Sequence, residues 1–486
     1  MDSGTFVGPA GVSSWGVAGL ASRGTAESPP RGTRGPMQTF RIQGGHRLSG
    51  RLRVDGSKNA ALPLMATSLL TEEPIRLRNV PDLSDVGNMA GLLGELGVES
   101  RREDGILDLR CVDTEAGTAR YEIVRTMRAS ICVLGPMLAR RRRAVVAMPG
   151  GCAFGARPVD LHLRGLEALG AKIRLEGGDI VATASRLKGA TVFLGGPFGS
   201  TVLGTANIMS AATLAEGTTV IESAACEPEI VDLARLLNSM GARIRGAGGP
   251  RIVIEGVEEL GGADHEVIPD RIVAATYAIA AAMTNGEVVL EDFPYDALLA
   301  AIDRFREIGV SVTPEDAAAD PMRCSVRVGS ERNLRPSVVT TQPHPGFPTD
   351  LQAQFMALLC LARGNSVVTE KIYPERFMHV AELTRMGASL FRQGPVVVVA
   401  GGPPLVGAPV MAGDLRASAC LVLAGLAAEG ETVVHRVYHL DRGYHRMEES
   451  LNRLGARIER IDEKDLDRPG PAPSDERHRR EAAVSG

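Results

Sequence analysis

The chain has few aromatic residues: Phe, Tyr and Trp make up only 4% of its 486 positions, and Trp occurs once. Little is therefore available to stack on unpaired bases, and a formal net charge of -4 supplies no basic field, so no nucleic-acid partner is expected. Long apolar runs are also missing. The best candidate, Ile272 to Met283, is short and Ala-rich and follows Asp270 and Arg271, so no membrane span is expected. The seven cysteines (111, 132, 152, 226, 324, 360 and 420) have no paired spacing that would suit zinc or a disulfide framework. They fit a reducing cytosol. No His/Glu pair has metal-ligand spacing, so no required metal is expected. The first 36 residues lack the basic start and continuous apolar centre of a secretory signal. Together these absences predict a cytoplasmic protein.

The bulk of the chain is that of a globular protein, 44% hydrophobic and 23% charged, with 56 glycines that imply many tight turns. Its length exceeds what one hydrophobic core usually organises and favours two domains. Residues 1–36 are rich in Gly, Ser, Thr, Ala and Pro without periodicity and read as a disordered extension, with Met37 a candidate start. Residues 463–486 are poor in apolar residues and densely charged, and read as a solvated tail.

Between the tails lies an internal repeat. A hydrophobic-Gly-Ala or hydrophobic-Gly-Val step recurs at Leu96-Gly97-Val98, Leu169-Gly170-Ala171, Met240-Gly241-Ala242, Ile308-Gly309-Val310, Met386-Gly387-Ala388 and Leu454-Gly455-Ala456. The spacing is about 70 residues, and each glycine stands where a left-handed helix stop should precede a strand. A second step, Ala- or Leu-rich helix, Gly turn and β-rich run, passes through Gly217, Gly286, Gly364 and Gly430, and near Arg140 to Val146 four arginines replace the glycine. Six such units predict two similar α/β domains of three units each, with the Ala-rich helices inside and the sheets outside. A solenoid of six stacked repeats is the rival architecture.

Several stretches have the makings of a site. Pro149-Gly150-Gly151-Cys152-Ala153-Phe154-Gly155-Ala156-Arg157 suits an anion-binding loop as well as a simple turn with a filler cysteine. Lys58 opens a helix-like run after Gly56-Ser57, where free N–H groups favour an anion, though a surface lysine looks the same. Arg128, Arg157, Arg376, Arg416 and Arg442 sit in otherwise apolar or Gly-rich segments and are either surface ion pairs or a grip for phosphate and carboxylate. Asp350 is a helix cap or an acceptor for a substrate proton. His162, His344 and His379 are candidate polar contacts.

Taken together, these motifs resemble the enolpyruvyl transferases. The likeness is carried by Gly56-Ser57-Lys58-Asn59-Ala60-Ala61-Leu62-Pro63, Thr126-Met127-Arg128-Ala129-Ser130, Pro149-Gly150-Gly151-Cys152 with Gly155 to His162, Phe347 to Phe355, Arg376-Phe377-Met378-His379-Val380, Asp414-Leu415-Arg416-Ala417-Ser418 and Asp441-Arg442-Gly443-Tyr444. These run in family order from about Met37 to Glu463. The resemblance implies an inside-out α/β barrel of six βαβαββ units. One domain would comprise 58–267 and carry the Cys152 loop, and the other 37–57 and 268–462. It also implies transfer of enolpyruvyl from phosphoenolpyruvate to the 3′-hydroxyl of UDP-N-acetylglucosamine, a step of peptidoglycan synthesis, without a cofactor.

Position by position, Cys152 matches the proton donor to C3, a thiol that needs an electropositive setting, and Asp350 the contact to the acceptor hydroxyl and candidate base. Lys58, Arg157 and Arg442 match phosphate-side contacts, Arg376 and Arg416 contacts to the carboxylate, and Asp414 a carboxylate that shuttles protons. Asn59 is assigned to both phosphoenolpyruvate and the nucleotide. Arg128, Arg157, Pro158, Val159, Asp160, Leu161, Ser200, Thr201, Val202, Asp350 and Ile372 form the expected nucleotide side. One departure concerns Gly195 to Thr205, where the family's diphosphate loop often carries a Lys that is missing here and Leu203 replaces a Gly. A uridine mononucleotide acceptor, as in nucleoside-antibiotic pathways, is therefore the alternative, and a catalytically silent nucleotide-sugar-binding paralogue a remoter one.

Overall fold

All six glycines of the hydrophobic-Gly step are left-handed, with φ of 80° at Gly97, 97° at Gly170, 106° at Gly241, 100° at Gly309, 91° at Gly387 and 100° at Gly455. Each is followed within two residues by a strand, so the unit read from the sequence is present six times. These positions come from a computed structural model that describes residues 38–149, 159–315, 320–330 and 333–466. Both tails and the stretch from Gly150 to Pro158 lie outside the described residues.

The second recurring step holds with one shift. Gly217, Gly364 and Gly430 are left-handed, but at the fourth copy the positive φ falls on Asn285, at 54°, one residue before Gly286. Gly286 is required for space instead: a Cβ there would lie 2.4 Å from the Leu48 carbonyl oxygen. Where the arginines replace the glycine, Arg142 itself takes the left-handed helix stop at φ 59°.

The elements form a mixed α/β fold. Six four-stranded sheets share one pattern, a parallel pair joined to two antiparallel pairs, and a seventh is the short hairpin of Gly195–Gly196 and Gly199–Ser200. The Ala-rich helices are apolar over much of their circumference and are buried accordingly. Every residue of Arg271–Met283 and Gln352–Cys360 is buried, as is all of Leu415–Ala427 except Leu415. Strands alternate instead, as in Ile75–Arg78, where Ile75 and Leu77 are buried and Arg76 and Arg78 exposed.

No sheet mixes the two halves of the chain. Three use strands between Ile75 and Glu266, the last of these, Ala263–Glu266, returning to pair parallel with Ile75–Arg78. The other three use strands from Glu287 to Asp462 together with Gln38–Gln43 and Ser49–Arg53 from the start of the described chain. The buried apolar residues divide in the same way. One cluster runs from Ala60 to Ile268, and the other joins Phe40 to Val54 with Ile272 to Ile458.

Candidate active site

Helix starts supply most of the site. Ser57 caps the helix Lys58–Ala66 by accepting from the Ala60 N–H at 3.3 Å. Asp270 caps Arg271–Met283 through the N–H groups of Ile272 and Val273, and Asp414 caps Leu415–Ala427 through those of Arg416 and Ala417. Asp270 also accepts from the backbone N–H of Lys58 at 3.2 Å, which ties the first helix to the second. Positive helix ends thus face the same region as the basic side chains that follow.

Asp350 lies at the centre. Its Oδ1 accepts from Arg376 Nη1 at 2.8 Å and its Oδ2 from Arg416 Nη2 at 2.9 Å. Arg416 is 2% exposed and also donates to the Tyr444 hydroxyl at 3.1 Å, with its guanidinium 5.5 Å from that ring's centre. Tyr444 is held in turn by Thr276, at 3.0 Å, and by Gln354 Nε2, at 3.3 Å. Burial alone would raise the Asp350 carboxyl, but Arg416 and Arg376 outweigh it and hold it well below the usual carboxylate range. The capping role open to Asp350 from the sequence is not the one it takes: no side-chain cap is made at the start of its helical turn, Thr349–Leu351.

A second carboxylate bridges two more cations. Asp85, 1% exposed, accepts from Lys58 Nζ at 3.3 Å and from Arg442 Nε at 3.0 Å and Nη2 at 3.4 Å. Burial pushes the Asp85 carboxyl up, and Lys58 and Arg442 pull it below its ordinary value. Lys58 is shifted down, first by burial against the opposing pull of Asp85, and then by Arg416 and Arg442. The same electrostatic coupling places Lys58 in one neighbourhood with the Asp350 group. Each of these two carboxylates is thus shared by two basic groups, a pairing that a small, multiply charged anion could take over.

Of the expected nucleotide-side residues, Leu161, Ser200 and Thr201 lie at the Gly195–Ser200 hairpin. Thr201 caps the helix Val202–Ala212 by accepting from the Gly204 N–H at 3.2 Å, with Ser200 ending the strand before it. Leu161 borders this hairpin, since a Cβ on Gly196 would meet its Cδ1 at 3.3 Å. Pro343 borders it from the other half of the chain, lying 2.6 Å from where a Cβ of Gly199 would stand. Gly199 has φ 100°, so both space and backbone demand glycine there. Val159 is buried and Asp160 exposed at the start of Asp160–Ala168. Ile372 follows Glu370, whose Oε1 accepts its N–H at 2.8 Å. Arg128 opens the turn Arg128–Val133 and Asn59 is half-buried beside Lys58. Cys152, Arg157 and Pro158 lie outside the described residues.

Two of the histidines have structural surroundings. His162 is 3% exposed, its Nδ1 lies 3.1 Å from Asn207 Nδ2, and burial, aided by Arg128, pushes it down to about 3. Burial likewise takes His379 down to about 4, against the pull of Asp414. His344 has its backbone N–H 3.5 Å from Glu227 Oε1. Two surface cavities, of about 430 Å³ beside Arg140 to Arg143 and about 530 Å³ beside Asp82 and Asp441, are not lined by Asp350, Arg376 or Arg416. The site is defined by its charges and hydrogen bonds.

Asp85 was missed from the sequence. It reads there as an ordinary acid in the first turn of Ser84–Glu95, and nothing local marks its partners, 27 and 357 residues away.

The family model described as EPSP synthase (3-phosphoshikimate 1-carboxyvinyltransferase) matches residues 42–451. Among curated proteins, the UDP-N-acetylglucosamine 1-carboxyvinyltransferase of Anaeromyxobacter sp. is 52% identical over 429 residues, spanning 87% of this chain and 99% of that protein. The protein of the same description from Methylacidiphilum infernorum is 48% identical over 425 residues, again 87% and 99%. Among solved structures, the enolpyruvyl transferase NikO from Streptomyces tendae superposes with a TM-score of 0.79 at 25% identity, covering 88% of this chain and 99% of that one. An EPSP synthase from Acinetobacter baumannii gives 0.69 at 20% identity, covering 87% and 100%, a likeness of fold.

Proposed function

The chain belongs to the EPSP synthase family of enolpyruvyl (1-carboxyvinyl) transferases, and from that premise we propose that it transfers enolpyruvyl from phosphoenolpyruvate to the 3′-hydroxyl of UDP-N-acetylglucosamine, releasing phosphate. The observation that carries this is the Asp350 carboxylate held between Arg376 and Arg416. A base and two carboxylate-binding guanidinium groups occupy one spot, as an addition to the enol phosphate of an anionic substrate requires. Curated relatives at about half identity over nearly their full length support the acceptor.

In this mechanism the acceptor oxygen bonds to C2 of phosphoenolpyruvate, its proton passes to Asp350, and the C2–C3 π electrons take a proton from the Cys152 thiol. The tetrahedral ketal then loses phosphate as the Cys152 thiolate takes a proton back from C3, and the departing phosphate carries off the proton held by Asp350. Arg376 and Arg416 hold the substrate carboxylate, and Lys58 and Arg442 the phosphate. In the free protein Asp350 is a weak base because the two guanidinium groups stabilise its charge. When the substrate carboxylate claims those groups, the Asp350 pKa rises and the base is unmasked in the step that needs it. Asp85 acts likewise toward the phosphate, keeping Lys58 and Arg442 paired until an anion replaces it. The roles of Cys152, Arg157 and Pro158 rest on the motif they occupy, and Asp414 is assigned to proton shuttling on the same ground.

We take the two groups of sheets and the two core clusters as two domains, 58–267 and 37–57 with 268–462, each an inside-out α/β unit with the acceptor bound between them. The reaction belongs in the cytoplasm, where phosphoenolpyruvate and nucleotide sugars are made, and feeds peptidoglycan synthesis. Among the described residues no helix is long and apolar enough to cross a membrane.

A second reading keeps the chemistry and replaces the acceptor with a uridine mononucleotide. It is favoured by the loop Gly195 to Thr205, which has no lysine for a diphosphate. Phosphate release and product mass measured with UDP-N-acetylglucosamine and with UMP separate the two. Adduct formation with the nucleotide sugar is expected; turnover with UMP alone would overturn the first reading.

A further inference from the structure

Glu370 is fully buried immediately after the strand Gly364–Thr369, and four donors converge on its two oxygens. Oε1 accepts from the Thr341 hydroxyl at 2.7 Å and from the backbone N–H groups of Ile372 and Tyr373 at 2.8 and 2.9 Å. Oε2 accepts from the Thr349 hydroxyl at 2.8 Å. A hydroxyl has one proton, so Thr349, having given its own to Glu370, turns a lone pair outward. That lone pair receives Arg376 Nη1 at 3.0 Å, the same nitrogen that donates to Asp350 at 2.8 Å. Thr341 repeats the pattern, giving its proton to Glu370 while its oxygen accepts from the Lys371 N–H at 2.8 Å.

We propose that Glu370 is a positioning residue for enolpyruvyl transfer: through Thr349 it orients the Arg376 guanidinium toward the donor's carboxylate, and through the Ile372–Tyr373 turn it fixes the wall of the acceptor site. One buried carboxylate then registers the two substrates against each other. The physical requirement is a group that only accepts. An amide at this place turns an N–H toward Thr349, the hydroxyl reverses to accept it, and its proton then points at Arg376. A guanidinium displaced by about 1 Å is enough to cost up to a hundredfold in rate.

The inference rests on the reading that Arg376 faces the donor carboxylate, and the experiment keeps the two apart. Glu370→Gln, nearly the same in size, is compared with Thr349→Val, Thr349→Ser and the Glu370→Gln/Thr349→Val pair, all in the full chain. Expected are a rise in KM for phosphoenolpyruvate with a fall in kcat, together about tenfold to a hundredfold in kcat/KM. The double variant should be no worse than the poorer single one, because both break one link, and Thr349→Ser, which keeps the hydroxyl, should retain near wild-type values. Crystal structures should show Arg376 reoriented in Glu370→Gln. Losses that multiply, Thr349→Ser as impaired as Thr349→Val, or a lowered Tm with unchanged kcat and KM would overturn the proposal. Should the unaltered protein release no phosphate with any uridine nucleotide, the transferase reading falls, and the orientation of Arg376 in Glu370→Gln still decides the positioning role: unmoved, it overturns it.

Discussion

Asp350 and Arg416 meet at 2.9 Å across 66 residues of sequence, and the guanidinium in that pair is almost wholly withdrawn from water. Arg376 completes the arrangement from the other carboxylate oxygen. A carboxylate so placed is a counter-ion in the free protein, and the base role proposed for it in the reacting complex can be separated from that duty by experiment.

Asp350→Asn keeps the size of the side chain and removes its ability to take a proton. Turnover should fall by about a hundredfold to ten-thousandfold, the usual worth of a general base, while nucleotide binding measured by calorimetry is retained. Unchanged phosphate release would remove Asp350 from the role of base.

The same residue makes a prediction about acid stability. Burial opposes the shift, but Arg416 and Arg376 depress the folded-state pKa of Asp350 below its ordinary value of 3.8. The unfolded chain therefore binds its proton first as pH falls, and the stabilisation is full above about pH 4 and lost as pH drops through the folded value. Urea unfolding of the wild type and Asp350→Asn should differ by a constant amount from pH 8 to 5, with the gap narrowing only below about pH 4. A gap that narrows toward pH 8 would contradict the assignment.

Arg416→Lys preserves charge but replaces a planar fork with a point donor that cannot serve Asp350 and Tyr444 together. KM for phosphoenolpyruvate should rise and kcat/KM fall by about a hundredfold, an effect of two charge-assisted hydrogen bonds lost or weakened. Steady-state kinetics with wild-type constants would show that the carboxylate is held elsewhere.

Asp85→Ala strips Lys58 and Arg442 of a shared, buried partner. A loss of about 3 kcal/mol in unfolding free energy is expected, as for a buried pair deprived of one member. Inorganic phosphate should raise the Tm of the variant more than that of the wild type, because an anion can stand where the carboxylate was. Equal shifts would mean that the two cations do not form an anion site.

Cys152 should be the thiol that iodoacetamide reaches first near neutral pH. Burial pushes Cys132 and Cys360 up to about 12 and Cys420 well above its ordinary value, while Cys226 is raised by burial and then by Glu227. Such thiols are poor nucleophiles. Peptide mass mapping is expected to find Cys152 modified first and phosphoenolpyruvate to protect it. Preferential modification of another cysteine would argue against an activated thiol at this position.

Much of the fold was legible because its signals are local. A glycine that ends a helix needs only its own φ, and six of them at regular intervals announced six units before any contact was known. The largely apolar circumference of Arg271–Met283 likewise pointed to a buried helix. The second demand on Gly286, for space, has a tertiary cause: the Leu48 carbonyl approaches it from the residue just before the strand Ser49–Arg53, more than two hundred residues earlier. The site was legible in part. Motifs named Lys58, Asp350, Arg376, Arg416 and Arg442, but Asp85 and Glu370 resemble any acid near a helix or strand end until their partners are seen.

What the sequence by itself determined is therefore the repeat, the family and the identity of most charged groups of the candidate site, since each is written in short stretches of chain. Tertiary structure alone decided which carboxylate neutralises which cation. Asp85 and Arg442 are 357 residues apart, and Glu370 is linked to Arg376 by way of a threonine from another element. Ion pairs and hydrogen bonds act over a few ångströms of space. Their partners are set by how the helices and sheets of the two halves pack, which no local pattern records.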